Sequence, residues 1–449
     1  GNGEQKEHLA KDSASSAAQL QQPQWSVWSS NLYERSEYWT ALRCEGQRSV
    51  PMSSPPVHAS VTSGGSRVIC PHLAADLLRD DDGGPSSSTA KLQKPGLLEH
   101  AATSVSGEAW QRQRRAVDRA FGGGLLAQRR RHLEPCMVSG KALCKWAEDS
   151  KVRDGRQLAA SVAAEAMVAA AAGTEQCDEG ENAVELEGLR AALLDFFDET
   201  LASKHGPAAR ALNVACEGAL AVQRDGADTL MARLLDQRPQ LTQEEVKANA
   251  HSALIAGFQA CAVLLLCCLL ELAEHPNLQD RLAEEAASKG SEGRGAGAVV
   301  SAIMKETLRV YPPISGLPRV TLSEIRSGAE KDSGDDAGAE AVTFPSGHYF
   351  VVDLLAAAHS GTGDFGASWE WDPFCEARSE AMDKAEGAPL SEREGRLLAC
   401  PFGIGPRKCP AGSLTLALVG YALHELASKF TWRSPPLRLD NDDQEETLW

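Results

Sequence analysis

One cysteine, in a segment rich in glycine and proline, is the residue of this chain best placed to do chemistry. Pro401–Gly412 has the sequence PFGIGPRKCPAG and contains Cys409. Glycine and proline favour a tight loop, and residues 413–430 are typical of a helix. A cysteine just before a helix N-terminus lies at the positive end of the helix dipole, which favours the thiolate. Because Arg407 and Lys408 add positive charge, we predict a metal-ligating thiolate, although a lone cysteine would otherwise be interpreted as structural.

The spacing around this cysteine resembles the Phe-x-x-Gly-x-Arg-x-Cys signature of the cytochrome P450 family. Phe402, Gly405, Arg407 and Cys409 stand at the matching positions, and Ala411 replaces the glycine that is usual in the signature. The resemblance implies that Cys409 is the axial ligand of the iron of haem b. It also implies that Phe402 packs near the thiolate, that Arg407 contacts a haem propionate and that Gly405 belongs to the cofactor-binding loop.

The resemblance extends over about residues 55–435 and implies the fold class. Helix-forming residues dominate from about 107 to 311, and strand-like segments occur at 58–70 and 342–355. We expect a mainly α protein with a minor β portion, the cytochrome P450 fold, in one large haem domain over 23–449. Residues 1–22 are polar and predict a flexible tail.

Local signals predict the bounds of the long central helix. Thr242 and Glu245 have the spacing of a capping box, so we expect a helix that begins there and reaches about Ala273. Its stretch 253–270 has no formal charge, which reaches the lower limit of length for a membrane span. We favour a helix buried in a protein core, because Gln259 lies within the stretch.

Two more pairs of residues match parts of the same family. Glu306 and Arg309 lie three residues apart on one helix face. They match a buried Glu-x-x-Arg pair that supports the cysteine loop in the family, although two such residues alone would be a surface ion pair. The family usually completes the pair with an arginine where this chain has Cys375, and Arg378 is the candidate substitute.

The residues 107–115 match the family's Trp-x-x-x-Arg helix. Trp110 and Arg114 lie one helical turn apart, so an indole N–H and a guanidinium group are placed to donate to haem propionates. Arg319, six residues past Pro313, matches a further propionate-contacting arginine. Without the cysteine signature, a core tryptophan and a solvated arginine would be the simpler interpretation of this helix.

The chain departs from the family at the oxygen-activation positions of the central helix. Monooxygenases of the family usually carry an acid and a threonine where this chain has Gln259 and Ala260. A carboxylate relays protons and a hydroxyl holds water, whereas Gln259 has no titratable proton and Ala260 no polar group. We interpret Cys261 as a small core residue rather than a substitute hydroxyl. The atypical catalytic positions are therefore Gln259 and Ala260.

Three functions remain open at this point. The first is a monooxygenase that inserts oxygen from O2 into a lipophilic small molecule, driven by NAD(P)H. The second is a reductase-independent rearrangement or dehydration of hydroperoxides, or a peroxygenase reaction, which the Gln259–Ala260 pair favours. The third is a haem-binding sensor without turnover.

The charge of the chain indicates which partners it could bind, and its cysteine content indicates its cellular compartment. A net charge of -17 argues against nucleic-acid binding. Residues 112–131 nevertheless hold seven arginines against the single acid Asp118, which predicts either a solvated face or a docking patch for an acidic electron donor, an NADPH reductase or a ferredoxin. The twelve cysteines include no CxxC pair, so we expect an intracellular monomer, membrane-associated or organellar if a further N-terminal segment exists.

Overall fold

The structure is a computed structural model that describes the helical body and the strands of the chain. The described residues are 59–62, 65–68, 89–90, 96–122, 155–173, 181–198, 206–223, 229–237, 240–289, 296–314, 316–327, 342–354, 371–375, 401–403 and 405–433. The predicted tail at 1–22, Arg378 and Arg129 to Arg131 lie outside them.

Helices make up most of the described chain, as predicted. They are α1 Gly107–Phe121, α2 Gly155–Ala172, α3 Glu181–Asp198, α4 Pro207–Ala221, α5 Leu230–Leu235, α6 Gln243–Glu274, α7 Pro276–Lys289, α8 Ala298–Val310 and α9 Gly412–Lys429. A short 3-10 helix, Gly96–Leu98, precedes α1. The mainly α class with a minor β portion is confirmed.

The long helix α6 lies at the centre of the helical body and packs against α2, α4, α5, α7, α8 and α9. It begins at the predicted capping box, in which the Thr242 hydroxyl accepts from the Glu245 N–H at 3.2 Å and the Glu245 carboxylate accepts from the Thr242 N–H at 2.9 Å. In the described part of the chain it is long and apolar enough to cross a membrane, but most of its side chains are buried by the other helices. It is the core helix that the sequence predicts.

The strands form two small sheets. They are β1 Ala59–Thr62, β2 Gly65–Val68, β3 Thr89–Ala90, β4 Gly316–Thr321, β5 Ile325–Ser327, β6 Val342–Phe344 and β7 Tyr349–Asp353. Five are ordered β1-β2-β7-β4-β3, with β2 and β7 parallel and the other neighbours antiparallel, and β5 pairs with β6.

The turn between β6 and β7 shows a limit of local prediction. Gly347 has a φ of +75°, a conformation that favours glycine, and lies in the turn that divides the predicted strand-like segment 342–355. Its two strands do not pair with each other, because β6 joins β5 and β7 joins β4 and β2. The turn therefore connects the two sheets.

Candidate functional site

Two glycines and one backbone hydrogen bond fold the cysteine loop back on itself. Gly403 and Gly405 have φ values of +78° and +71°, which residues with a Cβ rarely adopt. The Cys409 N–H donates to the Phe402 carbonyl at 2.8 Å, and the Lys408 N–H donates to the Gly405 carbonyl at 3.2 Å. The loop thereby holds Cys409 just before the first turn of α9.

The N-terminus of α9 packs directly against the loop. A Cβ at Gly412 would lie 3.0 Å from the Phe402 ring, so only glycine fits beneath that ring without displacing it. Ala411, which replaces the usual glycine of the signature, has a φ of -104°, and alanine adopts that conformation without strain. The substitution at 411 therefore leaves the loop geometry unaffected.

Cys409 is an exposed free thiol with a raised pKa. Desolvation by the surrounding protein raises the pKa, whereas a hydrogen bond from the Ala411 N–H and the charge of Arg114 lower it. The predicted preference of Cys409 for the thiolate stays a prediction. Arg114 supplies the positive charge that acts on it, rather than Arg407 or Lys408. A coordinated thiol loses its proton, so a bound metal ion would reverse this balance.

Arg407 and Trp110 lie against each other beside the loop. The guanidinium carbon of Arg407 is 4.4 Å from the centre of the Trp110 ring, and Trp110 is buried in α1. Arg407 also donates to the Val105 carbonyl and to the Ser106 hydroxyl, both at 3.2 Å. Within the described residues the Trp110 indole N–H has no acceptor, which leaves a donor at this position for a ligand.

Arg114 joins α1 to the cysteine loop through its charge. Its side chain is mostly buried, and its Nε lies 2.8 Å from the Asp118 carboxylate one turn along α1. Because this charge acts on the Cys409 thiol, the two side chains lie in one electrostatic environment. The structure thus brings together three of the predicted cofactor-binding residues, Trp110, Arg114 and Arg407, around Cys409.

The remaining arginines of α1 are all exposed but differ in their hydrogen-bond partners. Arg112 makes a bidentate ion pair with Glu245 at the start of α6, at 2.6 and 2.8 Å. Arg115 and Arg119 are exposed, and each donates through Nε to a backbone carbonyl of the preceding turn. The predicted basic patch therefore keeps three exposed arginines in α1, and Glu245 neutralises the charge of one of them, Arg112.

A row of small residues on α6 borders the same region. From Val246 to Leu269 all side chains of α6 are buried except Lys247 and four small residues. These four, which we call the small-residue stripe, are Ala253, Ala256, Gly257 and Ala260. Their spacing places them on one face of the helix. Cys261, next to this stripe, is close enough to Cys409 for its charge to raise the Cys261 pKa, so the stripe lies near the cysteine loop.

The two atypical positions of α6 have different surroundings. Ala260 belongs to the small-residue stripe, whereas Gln259 is 7% exposed and lies off it. Cys261 is buried, its thiol makes a hydrogen bond with Thr415 of α9, and burial raises its pKa to about 12. Cys261 is therefore a core residue that cannot donate a proton at neutral pH, in agreement with its interpretation from sequence.

A polar network beside the stripe was missed by the sequence analysis. The hydroxyls of Thr103 and Ser252 lie 3.0 Å apart, and the Ala102 N–H donates to Asn249 Oδ1 at 3.0 Å. Asn249 Nδ2 in turn donates to Gln113 Oε1 at 2.9 Å. The sequence did offer a signal for this network. Asn249 and Ser252 are polar, lie three residues apart and so share one face of a helix that is otherwise mostly apolar.

The Glu306–Arg309 pair is buried, as the resemblance implied. Two hydrogen bonds of 2.8 and 2.9 Å join the side chains, and each residue is 3% exposed. The Asp372 N–H donates to Glu306 Oε1 at 3.1 Å, and the Trp371 indole donates to the Thr307 hydroxyl at 3.0 Å. The pair therefore helps to fix the segment 371–375 to α8.

Cys375 and Arg319 are two further residues for which the sequence analysis made predictions. Cys375 is partly exposed and its N–H donates to the Asp372 carbonyl at 3.3 Å, while the substitute Arg378 lies outside the described residues. Arg319 is buried in β4, in register with Phe350 of β7. Its contact with a propionate stays a prediction.

A comparison with known protein families matches a part of the chain that does not include the cysteine loop. Residues 182–327 match the family model Cytochrome P450. This match runs from α3 to β5 and ends before Pro401–Gly412, so it does not depend on the cysteine signature. The match supports the predicted membership of the cytochrome P450 family. The helical body with two small sheets is consistent with the fold of that family, and membership implies a haem cofactor.

Several curated cytochromes P450 are similar to this chain. Cytochrome P450 78A11 of Oryza sativa subsp. japonica is 29% identical over 227 residues, which cover 48% of this chain and 38% of that protein. Cytochrome P450 78A1 of Zea mays is 29% identical over 218 residues, 47% of this chain and 37% of that protein. Trimethyltridecatetraene synthase of Zea mays is 25% identical over 283 residues, 59% of this chain and 48% of that protein. The matched part of the chain thus spans less than half the length of each relative.

The residues present fit a haem. Cys409 offers an accessible sulfur, and the indole N–H of Trp110 lacks an acceptor in the described part of the chain. Arg114 and Arg407 supply positive charge for the propionates. The described residues contain no group of three or more His, Cys, Asp or Glu side chains for a metal ion bound directly by protein.

Proposed function

We propose that this chain is a haem-thiolate monooxygenase that inserts oxygen from O2 into a lipophilic small molecule, with haem b as its cofactor. The observation that supports this best is that Arg407, two residues before Cys409, stacks on Trp110, while the charge of Arg114 acts on Cys409. Haem with an axial thiolate supplies the chemistry of O–O cleavage and oxygen transfer.

The protein's own residues would bind and orient the cofactor. Cys409 would hold the iron, because its loop is fixed by the Phe402 carbonyl and its sulfur receives the Ala411 N–H. Trp110 and Arg114, and Arg407 stacked on Trp110, would receive the propionates through charge-assisted hydrogen bonds. Arg319 would add a further contact from β4.

The stripe would determine what reaches the cofactor. Its four residues have no polar side-chain atom and no side chain larger than a methyl group. Binding of an apolar molecule therefore leaves no polar side chain of this face without a hydrogen-bond partner. This supports a lipophilic substrate.

Electron supply would come through the exposed face of α1. Arg115 and Arg119 are exposed on it, and a basic surface attracts an acidic electron donor such as an NADPH reductase or a ferredoxin. We expect an intracellular location, and the described cysteines, all of them free thiols, agree with a reducing compartment.

The deciding experiment uses haem-loaded protein with NADPH and a reductase. We expect a red-shifted Soret band in the reduced CO complex, lost in Cys409→Ser, and 18O from O2 in the product of a lipophilic substrate panel. Formation of hydrogen peroxide alone, with every panel member recovered unchanged, would exclude the monooxygenase.

A second candidate is supported by the absence of an acid–alcohol pair at Gln259 and Ala260. A hydroperoxide substrate brings its own oxygen–oxygen bond, so rearrangement, dehydration or peroxygenase chemistry needs neither a reductase nor protons delivered for O2 activation. Gln259 would then act as a neutral hydrogen-bonding group. Consumption of a fatty-acid hydroperoxide without reductase, abolished by Cys409→Ser, would favour this candidate. Gln259→Asp combined with Ala260→Thr should raise O2-dependent turnover only if the monooxygenase is correct.

A further inference from the structure

We propose that a proton on His251 releases helix α4 from the central helix α6, so that the contact between these two helices is a pH-sensitive switch. His251 lies on the face of α6 opposite the small-residue stripe, so the switch is separate from the proposed haem site. The burial of the imidazole ring, the groups that face its two nitrogens and the few elements that hold α4 support this switch.

The imidazole of His251 is buried without a completed hydrogen bond. His251 is 1% exposed, and neither ring nitrogen has a hydrogen-bond partner among the described residues. The backbone carbonyls of Leu212 in α4 and of Lys247 in α6 approach the ring but do not complete hydrogen bonds with it. A neutral imidazole has a single N–H, so it could donate to only one of these carbonyls at a time. The ring is thus a buried polar group at the contact of α4 with α6.

The charged groups around the ring do not offset the cost of burying a proton there. Lys247 of α6 repels an imidazolium, and Glu217 of α4 attracts it. The Glu217 carboxylate already accepts from Lys247 Nζ at 2.7 Å and from Asn213 Nδ2 at 3.2 Å, at the exposed rim of the contact. Desolvation, with a contribution from Lys247, therefore lowers the pKa of His251 from 6.5 to about 4. The protonated ring is favoured where water reaches it.

Helix α4 is the element that this proton would displace. The central helix α6 is held by α2, α5, α7, α8 and α9 as well as by α4, whereas α4 packs mainly against α3 and α6. The outer face of α4 is open, and Val214 on it is 67% exposed. The Lys247–Glu217 ion pair that joins α4 to α6 is partly exposed, so water screens it and it contributes little. Movement of α4 is therefore the easiest way to hydrate a charged His251.

The coupling of proton binding to release determines the sign and size of the effect. The ring binds a proton more tightly when α4 is released, where its pKa returns toward 6.5, than when α4 is packed. Release is therefore favoured as the pH falls below 6.5, and α4 stays packed above that value. Between pH 7.5 and pH 5.0 the ratio of released to packed α4 should rise about thirtyfold.

The thiol of Cys216 reports the release directly. Cys216 lies in α4, is 0% exposed and has a neutral thiol, because burial raises its pKa to about 12. Haem-loaded protein is labelled with 4,4′-dithiodipyridine, a disulfide that exchanges with thiols at acidic pH, and mass spectrometry assigns the labelled peptides. Each rate is divided by the rate of the same cysteine in urea-unfolded protein at the same pH. We expect this corrected rate to rise about thirtyfold for Cys216 from pH 7.5 to pH 5.0.

Cys268 is the matched control for this measurement. It is also a free thiol and 0% exposed, but it lies farther along α6, where it makes a hydrogen bond with Thr307 of α8. Its corrected rate should be the same at the two pH values. A parallel rise for both cysteines would show that acid unfolds the whole chain instead of releasing α4, and would overturn the proposal.

Two variants remove the proton-binding group in different ways. His251→Gln retains a polar side chain and His251→Leu introduces an apolar one, and neither side chain titrates. In both variants the corrected rate of Cys216 should no longer rise at pH 5.0. A rise that persists in either variant, or a wild type in which the Cys216 rate does not change with pH, would refute the switch.

Discussion

The guanidinium group of Arg407 stacks on the indole ring of Trp110, with 4.4 Å between the guanidinium carbon and the ring centre. Trp110 belongs to α1 and Arg407 to the cysteine loop, so this contact joins the two segments that would hold the haem. An aromatic face attracts a cation electrostatically, and the attraction strengthens where water is excluded.

A double-mutant cycle should reveal this coupling. Trp110→Leu, Arg407→Leu and the double variant should give a coupling energy of about 1 kcal/mol in urea unfolding. Arg281 over Phe374, at 3.9 Å, is the matched control on the surface. Because water screens that pair, its coupling should be smaller, and a Trp110–Arg407 coupling indistinguishable from zero would refute the contact.

The ion pair of Glu306 and Arg309 should be essential to stability. Glu306→Gln leaves the Arg309 charge buried without its partner, which costs about 3–5 kcal/mol. In the exposed pair Arg190–Glu187 the change Glu187→Gln should cost under about 1 kcal/mol. Unfolding of both variants in urea gives the two values, and comparable losses would show that the buried pair has no special role.

Packing at the N-terminus of α9 gives a further prediction. Gly412→Ala places a Cβ 3.0 Å from the Phe402 ring and should cost about 1–3 kcal/mol and lower haem retention. Gly188→Ala in α3 meets nothing within 4 Å, so it should be neutral or stabilising through its higher helix propensity. Haem content per chain and the melting temperature measure both, and equal behaviour of the two variants would contradict the packing argument.

Features that depend on neighbouring residues could be predicted from sequence. The capping box of Thr242 and Glu245 and the Glu306–Arg309 pair each lie within one turn, so their spacing carries the geometry. The cysteine loop is likewise specified locally, because two glycines with positive φ surround one backbone hydrogen bond.

Features that depend on distant residues were not predictable in the same way. Trp110 and Arg407 were each predicted as cofactor contacts, but their stacking depends on how α1 meets the loop. The Thr103–Ser252 contact joins a segment before α1 to α6, and no local pattern encodes the partner of either hydroxyl.

His251 should make the protein sensitive to acid. It is buried in α6, and desolvation, with a smaller contribution from Lys247, lowers its pKa from 6.5 to about 4, partly offset by Glu217. The unfolded chain therefore binds a proton between these pH values that the folded chain does not, so stability is complete above pH 6.5 and falls as the pH drops toward 4. The loss amounts to about 3 kcal/mol.

Replacing this histidine separates its contribution from that of other groups. His251→Leu should lose less stability between pH 7.5 and pH 4.5 than the wild type, by about 2–3 kcal/mol in urea unfolding. A wild-type slope retained in His251→Leu would assign the acid sensitivity to other residues.

Ala256 of the small-residue stripe should tolerate a larger side chain than the buried positions of α6. Ala256 is partly accessible, so Ala256→Leu should fold normally while it fills the space beside the cysteine loop and weakens binding of apolar ligands about tenfold or more. Ala262 is 0% exposed on the same helix, so Ala262→Leu overpacks the core and should cost about 1–3 kcal/mol. Ligand titration and urea unfolding of both variants distinguish the two effects. If Ala256→Leu destabilised the fold as much as Ala262→Leu without changing ligand affinity, the stripe would be part of the core and the site would lie elsewhere.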